Sequence, residues 1–158
     1  VDACRAAASS HTFFGVDPSG SGAVVSTSGN PDCHVILRGG RSGPNYDADS
    51  VAAALDTIEA AGLPRRLMID ASHANSGKDH LRQPGVAQAI AAQVAEGQTG
   101  IIGVMLESFL VPGAQKLGDP AKLTYGQSIT DKCMGWETTE EVLAHLADAV
   151  RSRRKATS

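Results

Sequence analysis

Arg38, His73 and Glu107 are the residues whose types and positions point most directly to chemistry, because each follows a short apolar run. If those runs are parallel strands, their carboxyl ends meet at one edge of the sheet, where α/β proteins build their sites. An imidazole nitrogen and a carboxylate oxygen are good ligands for divalent Mn, Fe, Co or Zn. We therefore predict a divalent metal site at His73 and Glu107. Asp119 or Asp131 in the following loop could supply a third oxygen ligand, and the pattern alone does not rank them.

The segment from Arg38 to Arg41 reads Arg-Gly-Gly-Arg and is a candidate anion site. Glycines let backbone N–H groups approach an anion, and an arginine can bind a phosphate through two parallel hydrogen bonds. An ordinary basic turn is the alternative interpretation. Cys133 lies two residues after Asp131 and could bind a metal, although a buried, unreactive thiol is the simpler interpretation.

The elements that must position these residues follow from the spacing of apolar and turn-forming residues. A leading helix, a hairpin and a β-α-β-α-β series are followed by a long loop and a final helix. The predicted bounds are a helix within 1–8, a hairpin over 11–27, strands over 33–37, 67–69 and 101–106, helices from Asp47 or Asp49 to 61 and over 84–96, an irregular stretch over 108–135, and a last helix beginning with a capping box at 138–141.

Strands that alternate with amphipathic helices predict an α/β fold with a parallel sheet, and strands that are apolar on both faces predict burial on both sides. No linker or repeat divides the chain, so we predict a single domain over residues 1–158. A (β/α)8 barrel takes about 250 residues and eight strand–helix units. This chain offers about three units besides the leading helix and the hairpin, and we predict an incomplete barrel.

The composition excludes several classes of protein. The net charge of −3 gives no electrostatic reason to expect nucleic acid or an anionic membrane as a partner. Three widely spaced cysteines do not form a disulfide framework, and we expect a cytoplasmic protein. The longest strongly apolar stretch, 100–106, is far shorter than the roughly 20 residues of a transmembrane helix.

Four strings of the sequence, in this order and spacing, resemble the C-terminal part of class I 3-deoxy-D-arabino-heptulosonate 7-phosphate (DAHP) synthases, which are TIM-barrel enzymes. The similarity runs over almost the whole chain and includes Gly-Trp-Glu-Thr at 135–138. The strings are CHVILRGG at 33–40, IDASHANS at 69–76, GVMLES at 103–108 and YGQSITDKC at 125–133.

The resemblance implies a transferase that condenses phosphoenolpyruvate with erythrose 4-phosphate, giving DAHP and phosphate at the first step of the shikimate pathway. A divalent metal ion, Mn, Fe or Co, polarises the sugar aldehyde in this family. By position, His73, Glu107 and Asp131 match three of the family's metal ligands, which implies Asp131 rather than Asp119. Arg38 matches an arginine that binds the phosphate of phosphoenolpyruvate, and His73 would lie close to that substrate as a catalytic residue.

The resemblance also implies what else the site needs. Arg38, His73 and Glu107 would follow barrel strands six, seven and eight. The fourth metal ligand, a cysteine, and other substrate-binding residues belong to the family's N-terminal half, so we expect the isolated chain to be inactive. We also expect it to associate with that half or with itself. The hairpin resembles a family insertion linked to feedback inhibition by an aromatic amino acid, but its tip at 17–22 lacks the tryptophan of some relatives.

Two other functions remain open at this point. The chain could be a non-catalytic module that binds an aromatic amino acid through its hairpin. It could also belong to another metal-dependent barrel lyase or aldolase, although the string that ends in Asp131-Lys132-Cys133 argues against that assignment.

Overall fold

A computed structural model describes residues 1–156 and has an α/β architecture built around a three-stranded parallel sheet. The central strand β4 pairs with β3 on one side and β5 on the other, so both outer strands are edges of this sheet. The prediction of parallel strands alternating with helices is therefore confirmed. Strand bounds in this sheet are β3 Val35–Leu37, β4 Leu67–Asp70 and β5 Ile101–Met105.

Five helices and four further strands complete the described chain. The N-terminal part contains α1 Asp2–Ala8, β1 His11–Val16 and β2 Gly22–Thr27. The remaining helices are α2 Ala48–Ala60, α3 His73–Ser76, α4 Gln83–Ala95 and α5 Trp136–Ala156. The loop between β5 and α5 contains β6 Val111–Ala114, a 3-10 helix Pro120–Lys122 and β7 Gln127–Ser128. Within residues 1–156, no helix is long and apolar enough to cross a membrane.

One face of the three-stranded sheet packs against helices and forms the core. Alternate strand residues point to the same face, and those on this face are buried together with apolar residues of α2, α4 and α5. The Asp47 side chain caps α2 by accepting a hydrogen bond from the Ser50 N–H at 2.9 Å, as predicted. The members of this covered face are Leu37, Leu67, Ile69 and Ile101 from the strands, with Val51, Leu55, Ile58, Val86, Ile90, Val94 and Ala149 from the helices.

The opposite face of the sheet is bare, and the prediction of burial on both sides is wrong there. Ile36, Ile102 and Met105 are 39%, 51% and 37% exposed. The core residues of α2, α4 and α5 pack with Leu37, Leu67, Ile69 and Ile101, and Ile36, Ile102 and Met105 do not belong to that core. Beside β5, an apolar groove of about 460 Å³ runs between the strand and α5.

The hairpin predicted over 11–27 is present as an antiparallel pair, with β1 and β2 in register from His11 opposite Thr27 to Val16 opposite Gly22. Its outward face is apolar, since Phe14, Val16 and Val24 are 87%, 69% and 63% exposed.

Two boundaries differ from the sequence-based expectation. The helix α5 begins at Trp136 rather than at the capping box of 138–141, because the Gly135 carbonyl already accepts a helical hydrogen bond from the Thr139 N–H at 3.1 Å. The stretch over 108–135 is not wholly irregular, since β6 and β7 pair in parallel within it. Pro112 and Gly113 interrupt the pattern of β6, which concealed this strand.

Candidate metal centre

His73 stands at the end of a tight turn that follows β4. The Asp70 carboxylate accepts hydrogen bonds from the Ser72 N–H at 2.8 Å and from the Ser72 hydroxyl, which closes the turn. The second carboxylate oxygen of Asp70 lies 2.7 Å from Nδ1 of His73. The φ of His73 is +43°, a left-handed conformation that is strained for a residue with a Cβ. This turn therefore holds the imidazole in one direction at the carboxyl end of the sheet.

Glu107 comes two residues after β5 and is held through its backbone. Its N–H donates to Oε1 of Gln83 at 3.0 Å, and Gln83 is buried at the start of α4. Its carbonyl accepts a hydrogen bond from the Met134 N–H at 2.9 Å. Oε1 of Glu107 lies 3.4 Å from Nε2 of His73.

Asp131 reaches the same place because the loop between β5 and α5 folds back on itself. Backbone hydrogen bonds in both directions join Gly113 and Cys133, at 2.9 and 3.1 Å. The ligand atoms of His73, Glu107 and Asp131 lie within 4.8 Å of one another. Asp119 is outside this group, and its carboxylate instead accepts the Ala121 N–H of the 3-10 helix.

The charges around these three residues favour a cation. Burial raises the pKa of Glu107 above its usual range, and the neighbouring carboxylates of Asp131 and Asp70 raise it further, while His73 and Lys78 oppose them. Lys78 is the nearby fixed cation, with Nζ 3.8 Å from Oδ1 of Asp131, but both side chains are about half exposed or more, so the pair is weak. A cluster of carboxylates with so little compensating charge is a favourable place for a divalent ion.

Cys133 is unlike the three candidate ligands. Burial raises the pKa of its thiol, and the nearby carboxylates of Glu107 and Asp131 raise it further, which disfavours the thiolate form that binds metals. Its Sγ lies 3.6 Å from the backbone carbonyl oxygen of Asp131. This environment agrees with the interpretation of Cys133 as an unreactive thiol.

Arg38 lies on an exposed loop that is tied to the His73 turn by two asparagines. The Gly39 N–H donates to Oδ1 of Asn45 at 2.8 Å, and the Asn45 N–H donates to Oδ1 of Asn75 at 2.9 Å. The buried Asn75 amide also donates to the carbonyls that end β3 and β4. Gly39 has φ +74°, and a Cβ there would lie 2.8 Å from that of Ala74, so the loop requires glycine. The two strand ends are therefore braced against each other.

The donor set fits a divalent transition metal. One imidazole nitrogen and two carboxylate oxygens suit Mn, Fe, Co and Zn. Ligands about 2.1 Å from a shared ion can lie at most roughly 4.2 Å apart, close to the 4.8 Å span of these atoms. Asp131, whose side chain is 48% exposed, has room to close that difference.

Comparison with known proteins identifies the family. Residues 1–144 match the DAHP synthetase I family. The chain belongs to this family. A phospho-2-dehydro-3-deoxyheptonate aldolase of Corynebacterium glutamicum is 55% identical over 99% of the chain and 44% of the relative, and the Trp-sensitive enzyme of that name from Escherichia coli K12 is 50% identical over 97% and 44%. The structure of the aldolase of this name from Francisella tularensis superposes with a TM-score of 0.89 at 44% identity, covering 96% of this chain and 44% of that one.

The chain thus spans less than half the length of the DAHP synthetase I relatives that it matches. Gln83 and Lys78 were not predicted as site residues, because each reaches the site through a contact with a distant element. Asn75 stands in the string at 69–76, but its role in tying the Arg38 loop to the His73 turn depends on the fold. Asp70 was recognisable as the last residue of its strand, but its contact with His73 depends on the shape of the turn.

Proposed function

We propose that this chain is the C-terminal part of a DAHP synthase, contributing three metal ligands and a phosphate-binding arginine to condensation of phosphoenolpyruvate with erythrose 4-phosphate. The observation that carries the proposal is the convergence of His73, Glu107 and Asp131 within 4.8 Å, at the carboxyl end of the sheet in a chain of this family. Placement in the cytoplasm is part of the same proposal.

In this proposal each residue has a distinct task. His73, Glu107 and Asp131 would hold the divalent ion, and the chemistry that such an ion supplies is polarisation of the sugar aldehyde. Arg38 would bind the phosphate of phosphoenolpyruvate through its planar guanidinium. The brace through Asn45 and Asn75 would fix the Arg38 loop relative to His73, so that the two substrates meet in one orientation.

We further propose that the three-stranded sheet is the last part of a (β/α)8 barrel, and that residues outside this chain complete it. Support comes from the bare face: a barrel interior is filled with side chains, whereas Ile36, Ile102 and Met105 are exposed here. The edges of β3 and β5 also carry backbone groups that a neighbouring strand would pair. The isolated chain would therefore associate with an N-terminal half or with itself.

The test of the metal centre is binding of Mn²⁺. Adding Mn²⁺ should raise the melting temperature of the wild-type protein, because an ion that binds only the folded state stabilises it. The rise should disappear in His73→Ala and in Glu107→Ala. The matched control is Asp119→Asn, which alters a carboxylate of the same loop that lies outside the cluster and should leave the rise intact. A rise that persists in both alanine variants would exclude this metal centre.

The test of incompleteness is turnover. Phosphate release from phosphoenolpyruvate in the presence of erythrose 4-phosphate and Mn²⁺ should be absent with the 158-residue chain and present with the full-length protein. Turnover by the short chain that equals that of the full-length protein would overturn the barrel proposal.

A second candidate function is the binding of an aromatic amino acid by the β1–β2 hairpin. The exposed apolar face at Phe14 and Val24 favours it, and the Escherichia coli relative is named Trp-sensitive. Binding of this kind predicts that an aromatic amino acid raises the melting temperature without metal, and that Phe14→Ser abolishes the rise. If Mn²⁺ raises the melting temperature and no aromatic amino acid does, the hairpin does not bind an aromatic amino acid and only the first proposal stands.

A further inference from the structure

The Asp70 side chain is a buried carboxylate placed directly behind the imidazole of His73. Asp70 is 1% exposed at the end of β4. One carboxylate oxygen accepts hydrogen bonds from the N–H and the hydroxyl of Ser72, and the other lies 2.7 Å from Nδ1 of His73. The opposite ring nitrogen, Nε2, lies 3.4 Å from Oε1 of Glu107. The ring therefore stands between a buried carboxylate and the candidate metal centre.

In the neutral form of the ring, these contacts place the proton on Nδ1. An ionised carboxylate only accepts hydrogen bonds, so the 2.7 Å contact is a hydrogen bond only if Nδ1 carries the proton. The Ser72 hydroxyl, 2.8 Å from Nδ1, donates its own proton to Asp70 and so presents lone pairs to the ring. A neutral imidazole has one N–H, and Nε2 is then left with a free lone pair. A metal ion binds to such a lone pair.

We propose that Asp70 is a positioning residue that holds His73 as the Nδ1–H tautomer and thereby keeps the Nε2 lone pair directed at the candidate metal centre. This inference rests on the proposed function of that centre. A carboxylate behind a metal-binding histidine both orients the ring and makes the ligand nitrogen more basic, and its loss typically lowers metal affinity about 10- to 100-fold.

The surrounding backbone shows that the orientation is built into the fold. Asn75 donates to the Asp70 carbonyl at 2.7 Å and is itself fully buried, which fixes the start of the turn. His73 keeps its left-handed φ of +43° within this turn. Because the strained backbone and the Asp70 contact act on the same side chain, the ring has one direction before any ion binds.

The experiment uses the full-length protein and two readouts. Long-range ¹⁵N–¹H correlation spectra of the metal-free protein should show His73 protonated at Nδ1 and unprotonated at Nε2. In Asp70→Asn, the new amide can donate to Nδ1, and the Nε2–H tautomer should replace the original one, as an Asp→Asn change behind an imidazole is known to do. Calorimetric titration should then give a Kd for Mn²⁺ that is about 10- to 100-fold weaker.

Asp79→Asn is the matched control, because Asp79 also lies beside an imidazole, with Oδ1 3.7 Å from Nδ1 of His80, but outside the metal cluster. It should change neither the His73 tautomer nor the Mn²⁺ affinity. Ser72→Ala removes the other group beside Nδ1 and keeps the carboxylate, so it should retain the Nδ1–H tautomer. Loss of that tautomer in Ser72→Ala would assign the positioning role to Ser72 and overturn the inference.

Three further outcomes would overturn the inference in distinguishable ways. An Nε2–H tautomer in the wild-type protein contradicts it without any variant. Equal Mn²⁺ affinity in wild type and Asp70→Asn contradicts the positioning role while leaving the metal centre in place. A wild-type protein that has the Nδ1–H tautomer but does not bind Mn²⁺ removes the metal centre itself, and the positioning role with it.

Discussion

The two faces of the three-stranded sheet are built from similar residues but have opposite surroundings. Leu67 and Ile69 on the helix side are fully buried, whereas Ile36 and Ile102 on the other side are 39% and 51% exposed. Fully burying a side chain of this size contributes roughly 1.5–3 kcal/mol, so the chain gains this free energy on one face and forgoes much of it on the other. The difference teaches that the covered face supports the fold of this chain, while the bare face contributes less to it and is the face that the barrel proposal assigns to residues outside the chain.

The largest expected effect is on stability. Ile69→Ala should lower the free energy of unfolding by about 2–5 kcal/mol, because it opens a cavity in the covered face. The matched change on the bare face, Ile36→Ala, should cost less, roughly 1–1.5 kcal/mol, because this side chain is already 39% exposed and leaves no enclosed cavity. Urea unfolding at low protein concentration measures both. Equal losses would show that the bare face is covered in solution.

The substitutions Ile69→Ala and Ile36→Ala also test the barrel proposal when they are made in the full-length protein. There the bare face would become the barrel interior, and Ile36→Ala should approach the cost of Ile69→Ala. If the cost of Ile36→Ala is the same in the full-length protein as in the 158-residue chain, nothing further packs on this face and the barrel proposal fails.

The next effect is on association. In the 158-residue chain, Ile102→Lys should weaken self-association at least about tenfold, which corresponds to ~1.4 kcal/mol, because it places a charge among the exposed apolar residues of the edge strand β5. Leu81→Lys is the control, since Leu81 is 76% exposed on the loop before α4. Sedimentation velocity over a range of concentrations measures the change. An equal effect of the two substitutions would mean that association does not use the bare face.

The order of the elements, and the His73 and Glu107 part of the candidate site, could be predicted from local sequence. The periodicities of the strands and helices predicted the parallel order, and the polar residue after each strand predicted which side chains gather at its end. The residues that could not be ranked locally were Asp119 and Asp131. They lie in one loop, and only the backbone pairing of Gly113 with Cys133 brings Asp131 to His73.

Burial was the part that local sequence predicted wrongly. A strand that is apolar on both faces indicates that both faces are meant to be covered, but not that the same chain covers them. Ile102 and Met105 read as core residues by composition and are exposed because the helices of this chain lie on the other side of β5. The capping box at 138–141 failed for a related reason: the motif is local, whereas the Gly135 carbonyl that starts α5 is held by the folded loop before it.

The smallest expected effect belongs to the helix that covers the sheet. Asp47→Ala should lower the free energy of unfolding by about 1 kcal/mol, because it removes the N-cap of α2.

Hydrogen bonds from the Ser50 N–H and hydroxyl hold the pKa of Asp47 below its usual range in the folded state. A folded-state pKa that is lowered means that the stabilisation is complete above the unfolded pKa of about 3.9 and is lost as the pH falls through the folded value. The difference in unfolding free energy between wild type and Asp47→Ala should therefore be constant near pH 7 and shrink below about pH 4. Asp49→Ala, in the same first turn but not at the cap position, should cost less and serves as the control. A difference that does not change on acidification would show that the Asp47 cap stabilises α2 equally well without its charge, which contradicts the lowered pKa.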